Sequence, residues 1–279
     1  MNNTFNINRF GKILKHDGLN FFPNLILALA ILWAIPVIAY LFTALMPGDE
    51  EKGLIDAFSR IDTIATLSTI ALIIAPARLY KYCNDSRKGI VYAMLPASTL
   101  EKFLSMVIYC AIVTPIIYIA GALAIDSILA LFQGPYEGFA VAYYFDSFAK
   151  INAVFDKNNI MMDESWILYY KSLSPTFMLI LSALGTLTIS SIFMFGNMIF
   201  KKHKTGKMIG ILILIFIIFM IVLINYAVHT EVLTHNIEDK EEFVKHTFFF
   251  IMNAMFYAEI IVSALMLFGV YRKIKTQKY

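Results

Sequence analysis

Six long apolar runs decide what this chain can fold into. They cover roughly Phe21–Met46, Ile61–Leu79, Leu104–Phe132, Pro175–Phe200, Met208–Val228 and Phe248–Tyr271. Each reaches the ~20 residues that a helix needs to cross a hydrocarbon core of ~30 Å. Lipid offers no partners to backbone N–H and C=O groups, so such runs must bond internally, as helices. The sequence is 59% hydrophobic and 15% charged, against about 25% charged in soluble domains. The expectation is an all-α polytopic membrane protein: one transmembrane domain over residues 1–279 with six transmembrane helices. The first run is too long for a signal-peptide core and continues as a span, so no cleavable signal is expected. No internal repeat or low-complexity segment is visible.

Charge placement orients the spans. Sixteen of the 23 lysines and arginines fall in four places: the N-terminal tail, the connection after span two, the connection after span four, and the C-terminal tail. Asp17, Asp85 and Glu101 are the acidic residues there. Lysine and arginine concentrate on the cytoplasmic side, so both termini are expected to be cytoplasmic. Residues 1–20 place Ile7, Phe10, Ile13 and Leu14 on one helical face and Arg9, Lys12 and His16 on the other. This predicts an amphipathic N-terminal helix at the membrane interface. Outside, the 133–174 loop is long and aromatic and is expected to lie on the outer surface or cap the bundle. Residues 229–247 are acidic and predict a short amphipathic helix ahead of the last span. Pro36, Pro76 and Pro115 mark expected kinks.

The stretch 80–103 joins spans two and three and is the most distinctive part of the chain. Ile90, Val91, Met94 and Leu95 share one face of a short helix. Pro96 ends it, because proline has no N–H to give. Ser98-x-x-Glu101 then stands before a long apolar run, the pattern of a capping box. Thr99 to Phe132 would make a rod of about 50 Å at 1.5 Å per residue. It must therefore protrude on this side or bend at Pro115. Asp85, Arg87 and Lys88 lead into the short helix.

Several chemistries lack their residues. There is no phosphate-binding Gly-x-x-x-x-Gly-Lys-Ser/Thr loop, no His-Glu-x-x-His and no Gly-x-Ser-x-Gly. No enzyme activity, catalytic residue or metal site is expected. Cys83 and Cys110 form no disulfide framework. Ionisable groups within spans stand out because hydrocarbon disfavours them. Asp62 and Asp126 lie near outer ends, where snorkelling or water would relieve them; Glu259 lies near the middle of the last span. Asp62, Thr66 and Thr69 share a face of span two. With Glu259 they are candidates for a translocation path, or alternatively for interhelical packing and hydrogen bonding. Ser182, Gly185, Thr186, Ser190 and Ser191 in span four read first as a close-packing face.

Six spans with cytoplasmic termini, and the segment Leu95-Pro-Ala-Ser-Thr-Leu-Glu-Lys-Phe103, resemble the ABC-2 family of ABC transporter permeases, especially the small ones of Bacteroidetes-type bacteria. The resemblance implies a permease subunit in the bacterial inner membrane, a second permease copy or paralogue, and two copies of a separate ABC ATPase that binds the ATP and Mg. It implies an ATPase-coupling contact at Asp85, Arg87, Lys88, Ile90, Val91, Met94, Pro96, Ser98 and Glu101. It also implies an exporter; the apolar fifth span favours an amphipathic or hydrophobic cargo. Two other readings remain open: a receptor or sensor subunit that transports nothing, and a small proton-coupled secondary transporter using Glu259.

Overall fold

A computed structural model describes residues 5–45, 56–83, 89–132, 136, 138–143, 145–146, 175–234 and 240–276. Among the described residues the fold is all-α, with no strand. The helices are α1 (Ile7–Leu45), α2 (Ala57–Leu79), α3 (Gly89–Met94), α4 (Thr99–Val107), α5 (Thr114–Ala130), α6 (Pro175–Ile199), α7 (Lys204–Thr234) and α8 (Lys240–Thr276). A π-helical segment, Ile108–Val113, joins α4 to α5. Six rods are long and apolar enough to cross a membrane, α4 to α5 counting as one from Thr99 to Ala130. The chain is a multi-pass membrane protein.

The amphipathic N-terminal helix is not a separate element. Residues 7–20 run without a break into the first span, so α1 has 39 residues and a length of about 58 Å. The reason lies on its inner face. Ile13, Asp17, Phe21, Leu25, Leu29, Leu32 and Pro36 are all buried, a stripe that repeats about once per turn and keeps one face against the bundle throughout. The acidic 229–247 segment behaves similarly. Its described parts belong to the end of α7 and the start of α8, and α8 runs through Lys240 into the last span. Most of 133–174 lies outside the described residues; within it, residues 140–143 and 145–146 are helical.

Pro115 is accommodated one turn earlier, by the π-helical segment Ile108–Val113. Proline cannot donate, and its ring presses on the carbonyl four residues back. The rod responds by widening to a π turn. Thr114 donates its backbone N–H to the Tyr109 carbonyl, five residues back, and its Oγ1 donates to the same oxygen at 2.7 Å.

Two cores hold the rods. In the first, Phe21, Leu25 and Leu29 of α1 meet Ile64, Leu67 and Ala71 of α2 and Tyr118 and Ala122 of α5. In the second, Tyr80, Cys83, Met106, Cys110, Met194, Met198 and Val270 bring the end of α2, the third rod, α6 and α8 together. The second core sits at the end where the basic segments gather. There Asn197 Nδ2 donates to the carbonyls of Pro76 (3.0 Å) and Tyr80 (2.9 Å), stopping α2. Lys204 Nζ donates to the Lys81 carbonyl at 2.7 Å. At the opposite end Arg60, Asp126 and Tyr136 meet. Asp126, expected to be relieved by water, is instead buried and paired. Arg60 Nη1 lies 3.6 Å from its Oδ1, Arg60 Nη2 donates to the Gly138 carbonyl at 2.7 Å, and the guanidinium lies 4.3 Å over the Tyr136 ring.

Candidate functional site

The stretch between spans two and three folds as helix, turn and capped helix. Ser98 is the N-cap of α4: its Oγ accepts the Glu101 N–H at 3.3 Å, and Glu101 Oε2 accepts the Ser98 N–H at 2.8 Å. This is the capping box expected from the sequence. A turn with Ala97 N–H donating to the Leu95 carbonyl at 2.7 Å joins α3 to it. Lys102 is buried, and its Nζ donates to the Tyr92 carbonyl at 2.9 Å. The Tyr92 ring packs edge-on to Tyr80, centroids 6.1 Å apart. The six residues of α3 are thus fixed to the rod they precede.

Glu101 does more than cap. Its other oxygen, Oε1, accepts the Asn6 N–H at 2.8 Å and Arg9 Nη2 at 3.2 Å, and the carboxylate is fully buried. A charge out of water needs such donors. The start of α1 therefore closes over the turn between α3 and α4. Three more bonds follow up the same face. Tyr109 OH donates to the Leu14 carbonyl at 2.8 Å. Asp17 Oδ2 accepts from Ser105 Oγ at 2.6 Å and from Tyr80 OH at 3.0 Å. Burial, then the Asp17 charge, pushes the Tyr80 phenol well above its ordinary range. Burial likewise pushes the Cys83 thiol up to about 12.

The expected contact residues divide by exposure. Ile90, Pro96 and Met94 are exposed, Met94 at 76%. Ser98 and Glu101 are buried beneath them. The Val91 backbone belongs to α3; Asp85, Arg87 and Lys88 lie outside the described residues. The unit offers apolar side chains outward and spends its polar ones inward.

The path candidates are not drawn together by any described hydrogen bond or ion pair. Asp62 and Thr66 lie exposed on α2, away from its buried stripe of Ile64, Leu67, Ala71 and Ala75. Thr69 Oγ1 donates to its own helix, at the Ala65 carbonyl. Glu259 lies against α6: a Cβ at Gly185 would stand 3.6 Å from Glu259 Oε1, and Thr188 Oγ1 donates to the Glu259 carbonyl at 3.3 Å. Its Oε2 is buried with no hydrogen-bond partner among the described residues. Ser190 and Ser191 are fully buried on α6, as a close-packing face requires. Toward the opposite end, a cavity of about 420 Å³ opens between α2, α5 and α6. Ile64, Ile119, Leu123, Val141 and Phe145 line it, with Ser182 as the hydroxyl.

Asp17, Lys102, Asn197 and the Arg60–Asp126 pair had no assigned role in the sequence. Only the rarity of a polar residue among apolar neighbours could have pointed to Asn197. No protein-family model, curated protein or solved structure matches the chain.

Proposed function

We propose that the chain is the permease subunit of an ABC exporter of the ABC-2 type, set in a bacterial inner membrane with both termini cytoplasmic. The observation that carries this reading is the build of the 89–102 unit. An exposed apolar helix is locked to a membrane-crossing rod through a buried capping box, and α1 is clamped onto the same turn. A partner that displaces α3 must move the third rod and α1 with it, because the links are short hydrogen bonds rather than flexible chain. Energy from a conformational cycle elsewhere reaches the membrane only through such contacts. In this reading two ABC ATPase subunits bind and hydrolyse ATP with Mg and seat α3, through Ile90 and Met94.

Helix α7 supports a partner of another kind. Ile213 through Ile221 are all exposed, and Met208 at its base packs against Gly196 of α6. Its apolar surface is the place for a second permease copy or paralogue. The 420 Å³ apolar cavity suits an amphipathic or hydrophobic cargo. The test is purification of the tagged chain with its partners from native membranes. The reading expects an ABC-type ATPase, Mg-dependent ATP hydrolysis in the complex, and two permease copies. A complex without a nucleotide-hydrolysing subunit would contradict it.

A further inference from the structure

A second cavity, of about 250 Å³, lies at the basic end between α1 and the end of α2. One wall is a polar stripe on a spanning helix: His16, Asn20 and Asn24, one turn apart. The facing wall is Arg78 and Lys81. Amide side chains on a membrane helix, turned toward two cations, are not needed for packing; Asn20 is exposed, and the Arg78 side chain is too.

The charge there is not balanced internally. Arg78 and Lys81 form no ion pair with a described residue, and the Lys81 ammonium lies 4.7 Å over the Tyr82 ring. Asp17 lines the cavity, but its Oδ2 is taken by Ser105 and Tyr80, and its Oδ1 stands 3.2 Å from His16 Nδ1. Each Asn spends one N–H on its own helix, Asn20 on the His16 carbonyl and Asn24 on the Asn20 carbonyl. Asn20 Nδ2 also lies 3.4 Å from both His16 ring nitrogens, whereas Asn24 keeps its second N–H for a ligand. A guanidinium, an ammonium and the Asn24 amide make a site for a tetrahedral oxyanion.

We propose that this notch binds a phosphate ester, presented by an anionic lipid headgroup. Size favours the ester over the free ion: about 250 Å³ is many times the ~10–15 Å³ of such space that one water needs. Position favours the lipid, because the notch opens where α1 and α2 leave their apolar runs. Basic pockets between spans at that depth take headgroups. Tyr92 and Leu95 also line it, so a bound headgroup touches the α3 unit directly. The inference does not depend on the transport reading.

The test uses the purified full chain in detergent. Native mass spectrometry reads retention of dioleoylphosphatidylglycerol, with uncharged dioleoylglycerol as the second arm. Thermal unfolding with glycerol 3-phosphate is the soluble arm. Phosphatidylglycerol is expected to stay bound and dioleoylglycerol to leave. R78Q should cut retention about tenfold, the scale of one charge-assisted contact, and N24L should cut it less. K275Q, an exposed charge elsewhere at the same end, should leave it unchanged. Unfolding temperatures of the variants show that the fold is kept. Equal retention by R78Q and the parent chain, or equal retention of dioleoylglycerol, overturns the proposal. Stabilisation by glycerol 3-phosphate with no retention of the lipid overturns the lipid source.

Discussion

Arg9 and Glu101 lie 92 residues apart in sequence, and their side chains meet at 3.2 Å. Glu101 is fully buried, while the Arg9 side chain is 31% exposed. The carboxylate is the hub of this contact and the guanidinium one of its spokes. Removing them should have unequal effects. Glu101→Ala strips the cap and leaves the Asn6 and Ser98 N–H groups without their acceptor, a loss of about 2–4 kcal/mol. Arg9→Ala removes a partly solvated pair and should change stability by less than ~1 kcal/mol. Denaturant unfolding in detergent compares the two, and equal losses would show that Glu101 is no hub.

Arg60 and Asp126 should behave as a buried pair, both being about 3% exposed. Asp126→Ala strands a buried guanidinium and should cost about 3–5 kcal/mol, whereas Arg60→Met combined with Asp126→Leu should restore much of it. Thermal unfolding of the single and double variants forms the cycle. Additive losses would mean that the two side chains do not interact.

Two glycines should respond to alanine with opposite signs. In an open helical position Gly→Ala gains up to ~1 kcal/mol. Gly210 on α7 has nothing within 4 Å of an added Cβ, so Gly210→Ala should stabilise. At Gly121 the Cβ would run into the Trp33 indole, which is itself fixed by Nε1 donating to the Tyr118 carbonyl at 3.0 Å. Gly121→Ala should therefore destabilise by about 1–3 kcal/mol. Unfolding temperatures that rise for both variants would refute the close approach of α5 to α1.

Cys83 is buried, and its thiol is pushed up to about 12. Since the thiolate is the reacting form, maleimide should modify it slowly in the folded protein at pH 8 and quickly in denaturing detergent. The linkage has a defined sign. The folded thiol stays neutral while the unfolded one ionises near 9.0, so this group's contribution is whole below pH 9 and is lost between 9 and 12. Fast labelling of the native chain at pH 8 would contradict the burial. Sidedness is better read at Met94, which is exposed. In a chain with both cysteines replaced by alanine, Met94→Cys should resist an impermeant maleimide on intact cells and react once they are opened.

Local and periodic signals carried much of the fold. Six apolar runs gave six rods, and Ser98-x-x-Glu101 gave the capping box, because each rests on spacings within a few residues. The meeting of the N-terminus with the α3–α4 turn was not visible, because Asn6 and Arg9 reach Glu101 across more than 90 residues. For the same reason residues 7–20 looked like a separate surface helix: their polar face was plain, but the partner for Ile13 and Asp17 was not. Pro115 announced a distortion. Only the Thr114–Tyr109 bonds show that it is absorbed as a π turn. Asp126 looked solvated by position, whereas its partner Arg60 comes from another rod.

In the proposed function, α3 is the surface through which an ATPase acts on the membrane helices. Ile90 and Met94 are exposed and lie outside both cores, so Ile90→Asp with Met94→Asp should fold normally. The deciding measurement is ATPase co-purification and ATP hydrolysis with this double variant, against the parent chain. The expected result is an unchanged unfolding temperature with loss of the bound ATPase and its activity. A variant that keeps a fully active ATPase complex would contradict it.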